Sequence, residues 1–102
     1  MADADSLIAA LEAHAETLGR LGHTVRFDLT DTGHSILLDA TGAALEVRHG
    51  EEPAEAVFKL STDTLDKLMT RRLGPMLAFT TGRLRIEGSQ GVALKLAGLL
   101  GS

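Results

Sequence analysis

Between residues 24 and 60 apolar side chains stand at every second position, and from residue 61 onward they recur mostly every third or fourth. A period of two belongs to a half-buried strand and a period of 3.6 to an amphipathic helix, so the chain has to change secondary structure near Ser61. Val25, Phe27 and Leu29 alternate with Thr24, Arg26, Asp28 and Thr30. After an Asp31-Thr32-Gly33 turn, Ile36, Leu38 and Ala40 alternate again, with Leu37 on the opposite face, which implies that this face is partly covered. Thr41-Gly42 reads as a tight turn leading to a third strand with Ala43, Leu45 and Val47 inward. Together these predict an antiparallel meander. Gly50-Glu51-Glu52-Pro53 ends it, and a fourth strand is predicted over about 56–60 with Phe58 and Leu60 inward.

The remaining segments read as helices and one more strand. Leu7, Leu11, Leu18 and Leu21, widened by Ile8 and Ala15, predict one amphipathic helix from Ser6 to Leu21, closed by Gly22. Asp3 and Asp5 suit the positive end of its dipole. Ser61, Thr62 and Asp63 are all candidate caps for a short helix carrying Leu65, Leu68 and Met69. Gly74 ends it, and Pro75 fits the first position of the next helix, which holds Met76, Leu77, Ala78 and Phe79 and stops at Gly82. Leu84 and Ile86 alternate in a fifth strand, Gly88 turns the chain, and Ser89 caps a last helix whose single charge is Lys95. A helix apolar on nearly all sides has more greasy surface than a small domain's end can bury. The order α-β-β-β-β-α-α-β-α predicts an α+β fold, a five-stranded mostly antiparallel sheet with helices on one face.

Composition narrows the chemistry. The 102 residues suffice for one domain, 1–102, with little apolar surface to spare. Aromatic residues are 3% of the chain, so the interior is aliphatic, which suits an ordinary core and an aliphatic ligand alike. The absence of Cys excludes disulfides, thiolate metal sites and Cys nucleophiles. The net charge of −4 divides into −9 over residues 1–66 and +5 over 67–102, where Lys67, Arg71, Arg72, Arg83, Arg85 and Lys95 face only Glu87. The basic half either pairs with the acidic half or meets an anionic partner. Nucleic acid is excluded as a partner by the overall charge and by the lack of aromatics among the cations. The acidic start, an end without a peroxisomal address and the lack of an apolar run of about 20 residues give a cytoplasmic expectation.

No catalytic arrangement stands out. His14, His23, His34 and His49 are scattered and lack metal-ligand spacing. No Ser sits in a Gly-x-Ser-x-Gly elbow, and no glycine series forms a phosphate loop. The expectation is a protein without catalytic residues, metal or cofactor.

Residues 54–96 carry a recognisable series. Ala78-Phe79 is followed by Gly82-Arg83-Leu84-Arg85-Ile86-Glu87-Gly88 and then by Ala93-Leu94-Lys95-Leu96. This series resembles the sterol carrier protein-2 family over the last half of the chain; the first half is similar in element order. The resemblance implies a single lipid-binding domain over 1–102, with an apolar tunnel between sheet and helices for a fatty acid, acyl-CoA, sterol or isoprenoid-like lipid. It implies that Met69, Leu73, Met76, Leu77 and Thr81 lie near the tunnel and that Leu94, Leu96 and Leu99 of the last helix close it, with Phe79 in the core. Arg71-Arg72 depart from the family pattern, which has a small Gly there, and stand as candidate head-group residues at the tunnel mouth. Thr81 replaces a larger polar residue and widens the cavity. The Ala-, Gly-, Leu- and Arg-rich composition suggests a bacterial chain.

Three functions follow from these readings. The first is a lipid carrier with transient membrane or enzyme contacts. The second is an accessory module that presents ubiquinone-pathway or other membrane lipids to partner enzymes. The third is a dimerisation domain with a filled core, so that the chain is a monomer or a homodimer according to the reading.

Overall fold

The computed structural model describes residues 3–101. Helix α1 spans Ala4–Ala13, α2 Ala15–Leu18, α3 Thr62–Met69, α4 Pro75–Thr80 and α5 Gln90–Gly101; a 3-10 turn covers Gly19–Leu21. The strands are β1 Thr24–Leu29, β2 Ser35–Asp39, β3 Glu46–His49, β4 Ala56–Leu60 and β5 Leu84–Gly88, in the spatial order β3-β2-β1-β4-β5. Three neighbouring pairs are antiparallel and one, β1 with β4, is parallel. The sheet is therefore mixed, mostly antiparallel, as the element order predicts.

The alternation of β1 decides which face is covered. Val25, Phe27 and Leu29 point into the core, where the Phe27 and Phe58 rings meet edge to face at 5.6 Å. Leu7, Leu11, Leu65, Leu68 and Leu96, from α1, α3 and α5, complete that layer and are fully buried. The parallel β1–β4 pair requires the chain to return from the end of β3, and residues 50–55 do so across the other face of the sheet. Arg26, on that face, donates from Nη1 to the carbonyls of Glu51 (3.2 Å) and Glu52 (3.3 Å) and grips Asp28 through Nε (2.8 Å) and Nη2 (3.1 Å). This cover explains why Leu37 and Val57, outward by register, are buried.

Two elements differ from the sequence reading. The N-terminal helix is not continuous from Ser6 to Leu21: it starts at Ala4 behind an Asp3–Ser6 capping box, breaks at His14 (φ −103°, ψ 24°) and tightens into the 3-10 turn. At three residues per turn, Leu18 and Leu21 fall on one face, and both reach the core; Ala15 is exposed instead of widening that face. The third strand begins at Glu46, not Ala43. Asp39 accepts from the Thr41 N–H (2.9 Å) and hydroxyl (2.5 Å), which opens the predicted tight turn into a longer loop and leaves Ala43 exposed.

The helix boundaries follow local chemistry. Ser61 is the cap that α3 uses, its Oγ accepting from Thr64 N–H at 3.1 Å. Asp31 reaches the same helix start from the β1–β2 turn and accepts from the Thr62 N–H and hydroxyl, each at 2.9 Å. The Thr62 N–H bond, foremost, holds the Asp31 carboxyl below the usual range; bonds from Thr41 do so for Asp39. Burial raises Asp28, but bonds from Arg26 and Ser35 outweigh it and the net shift is downward. A carboxyl with a folded pKa below its unfolded value contributes stability above that unfolded value, about 3.9 for Asp, and loses it as pH falls through the folded one. The melting temperature should therefore drop in acid, starting near the unfolded Asp value. Asp31→Asn, which keeps the acceptor and removes the titration, should flatten that drop; thermal melts from neutral pH into acid check it, and an unchanged profile would assign the acid sensitivity to other groups.

Candidate functional site

The short helix α4 starts at Gly74-Pro75, where proline's fixed φ and missing N–H suit the first turn, and ends at Gly82, whose φ of 78° returns the chain to β5. Helix α5 starts behind Ser89, whose Oγ accepts from Val92 N–H at 3.2 Å. These elements meet at the edge of the sheet and leave a groove of about 200 Å³. Pro75, Met76 and Phe79 of α4 form one wall, Leu84 and Ile86 of β5 the floor, and Gln90, Ala93, Leu94 and Ala97 of α5 the other wall. The α5 set is spaced i, i+3, i+4, i+7, one stripe of a helix. Its two alanines leave the space that larger side chains would fill.

Gln90 is the one lining residue able to donate or accept hydrogen bonds through its side chain. Such a groove accepts an apolar group, and its lining has no acid, base or nucleophile to act on one. Among the described residues no three His, Asp or Glu side chains gather to hold a metal, and no buried side-chain polar atom lacks a partner.

A second, smaller pocket of about 120 Å³ lies at the seam of the N-terminal helices, α3 and α5, lined by His14, Thr17, Leu18, Met69, Arg71, Leu99 and Leu100. Arg71 is the one described non-glycine residue with positive φ, 60°.

The residues expected around a tunnel fall into separate places. Met76 and Leu94 line the groove and are each 64% exposed. Met69, Leu99 and Arg71 line the second pocket. Leu73 is buried and Leu96 is fully enclosed in the core. Leu77 is 57% exposed on α4, outside the groove lining. Thr81 is exposed and donates its hydroxyl to the Leu77 carbonyl at 2.7 Å. Arg72 is held by Asp66 at 2.7 Å and donates through Nε to Thr70. Phe79, expected in the core, is 47% exposed and forms part of the groove wall, because the core-facing position of α4 belongs to Ala78. The sequence expectation left out Pro75, Phe79, Leu84, Ile86, Gln90, Ala93 and Ala97; the helical spacing of Pro75 with Phe79 and of Gln90, Ala93, Leu94 and Ala97 was the available signal for the helical ones.

A one-sheet α+β domain with an apolar groove between its edge strand and its last helix is the class that fold and site define. The chain belongs to the SCP-2 sterol transfer family, whose model matches residues 4–101. Members of this family generally bind lipid. Mouse hydroxysteroid dehydrogenase-like protein 2 is 33% identical over 78 residues, 74% of this chain; the matched stretch is 16% of that relative's length. The sterol carrier protein domain 2 of Helicoverpa armigera superimposes with a TM-score of 0.73 at 25% identity, over 94% of this chain and 80% of that one. Palmitated SCP2L2 from Aedes aegypti has the same fold, with a TM-score of 0.75 at 17% identity over 98% and 95% of the two chains. Among the described residues no helix is long and apolar enough to cross a membrane.

Proposed function

We propose that this chain, as a single domain over 1–102, binds the hydrocarbon part of a lipid in the groove between α4, β5 and α5 and carries it without chemical change. The observation that supports this is the lining: nine residues with one hydrogen-bonding side chain among them, at the sheet edge of a family of lipid-binding domains. Met76, Phe79 and Leu94 flank the ligand, and Leu84 and Ile86 lie beneath it. An acyl or isoprenoid chain fits better than a compact polar metabolite, since Gln90 is the one lining side chain that could replace the water that a polar ligand loses. The palmitated Aedes aegypti protein of the same fold is consistent with an acyl chain.

Magnitude says how the ligand has to sit. A buried methylene gains about 0.8 kcal/mol, so a twelve-carbon chain fully enclosed gains about 10 kcal/mol before association costs are charged. The groove of about 200 Å³ is below the range of about 300–1,000 Å³ in which a drug-sized ligand is enclosed. Affinity in the micromolar range therefore needs the groove to deepen into the tunnel that the resemblance implies.

Native mass spectrometry of freshly purified protein, followed by organic extraction, tests the proposal. The expected result is a stoichiometric adduct that extraction identifies as a long-chain lipid. A prenylated molecule in the extract would favour the accessory role in an isoprenoid pathway. An empty chain that also refuses a fluorescent acyl probe would overturn lipid carriage and leave the interaction-domain reading.

A further inference from the structure

The described residues expose four large hydrophobic side chains, and all four lie on α4 and α5: Met76, Leu77, Phe79 and Leu94, between 47% and 64% exposed. A contiguous apolar patch of this kind usually marks a contact surface. The part of the chain that carries the patch is strongly basic. From Lys67 to Ser102 the only carboxylate side chain is Glu87, and it is engaged by Lys59 at 3.4 Å. Arg71, Arg83, Arg85 and Lys95 make no ion pair among the described residues; elsewhere in the chain Arg20 alone shares that state, and Arg26, Arg48, Lys59, Lys67 and Arg72 are all paired. Two of these cations lie next to the patch residues along the chain. Lys95 follows Leu94 on α5, and Arg83 is tied to α4 by its N–H bond to the Ala78 carbonyl at 2.9 Å.

We infer that the α4–α5 face docks on an anionic lipid bilayer, with Leu77, Met76 and Leu94 entering the interface and Arg83 and Lys95 on the lipid phosphates. Apolar side chains with unpaired cations on the same segments match a surface of hydrocarbon below and negative charge above. A second copy of the chain fits poorly, since a two-fold contact sets each patch against itself and brings like charges together. The groove opens within the same patch, so a hydrocarbon chain leaving it enters the bilayer without crossing water. This last point rests on the lipid-binding reading above; the docking surface itself does not.

Co-sedimentation with vesicles tests it, using phosphatidylcholine alone and phosphatidylcholine mixed with phosphatidylglycerol. The protein should bind the mixed vesicles, bind the neutral ones weakly, and be released by salt. Neutralising a cation at such a surface lowers partitioning about fivefold, so Arg83→Gln with Lys95→Gln should lower it about 25-fold. Leu77→Asp, at an exposed position outside the groove lining, should lower it at least as much. Uptake of a neutral fluorescent lipid from solution by Arg83→Gln/Lys95→Gln should equal that of the unchanged protein. Equal binding to both vesicle types, binding to neither, or binding that ignores these substitutions would overturn the inference; so would self-association that Leu77→Asp abolishes in a protein that leaves vesicles unbound. Vesicle binding by a protein that takes up no lipid would sustain the docking surface and overturn lipid carriage instead.

Discussion

Ala97→Trp should bind an acyl probe about a hundredfold more weakly than the unchanged chain while melting within a few degrees of it. Ala97 is half-buried on α5, on the wall of the groove, and its methyl group is one of the reasons there is space at all. An indole at this position occupies room that three or four methylenes of a ligand would take. At about 0.8 kcal/mol each, their exclusion costs about 3 kcal/mol, which is close to two powers of ten in Kd. The core loses nothing, because the new ring grows into open groove and no neighbouring side chain is removed. A titration with a fluorescent fatty acid, paired with a thermal melt, separates the two effects. Unchanged affinity would move the binding site away from this groove, with the pocket between Met69, Arg71 and Leu99 as the next place to look.

Gly88→Ala should lower stability by about 3 kcal/mol. Two independent costs combine. Gly88 has φ of 83°, a region where a β-carbon costs about 1–2 kcal/mol. That carbon would also stand 2.6 Å from the Glu55 carbonyl oxygen and 3.3 Å from Ala56 Cα, both backbone atoms that cannot rotate away. The same carbonyl accepts from Ser89 N–H at 2.7 Å, so pushing it aside loosens the start of α5 as well as the β4–β5 pairing. For a chain of this size the loss corresponds to about 12–24 °C in Tm. Gly98→Ala is the counterpart: it lies within α5 with no atom near its missing β-carbon, so alanine should stabilise by up to about 1 kcal/mol. A melt of Gly88→Ala that matched the unchanged protein would mean that the strand end can shift at no cost.

Much of the architecture can be read from local chemistry. Ser61, Gly74-Pro75, Gly82 and Ser89 mark helix ends because capping and φ preferences act within a few residues. The inward sets of β1 and β2 follow from alternation alone. The parallel neighbour of β1 does not, because strand order depends on where residues 50–55 travel, and they cross a face that the sequence marks only through the outward apolar Leu37 and Val57. The groove was harder to read for a different reason. Phe79 and Ala78 are adjacent on one short helix, about 100° apart, and both are apolar; which of them meets the core is decided by β5 and α5, which lie elsewhere in the sequence. Arg71 and Arg72 show the same limit. They look equivalent in sequence, yet one is held by Asp66 and Thr70 and the other stands unpaired with positive φ.

The groove's place at the edge of the sheet has an evolutionary consequence. Of its nine lining residues only Leu84 and Ala93 are also buried core residues; the remainder do not belong to the fully packed layer around Phe27 and Phe58. Selection for folding and selection for ligand therefore act on nearly disjoint sets of side chains. Substitutions at 76, 79, 90, 94 and 97 are free to drift toward a wider or narrower, longer or shorter cargo without endangering the native state. One scaffold can in this way diversify its preferences by small neutral steps, each tolerated before it becomes useful.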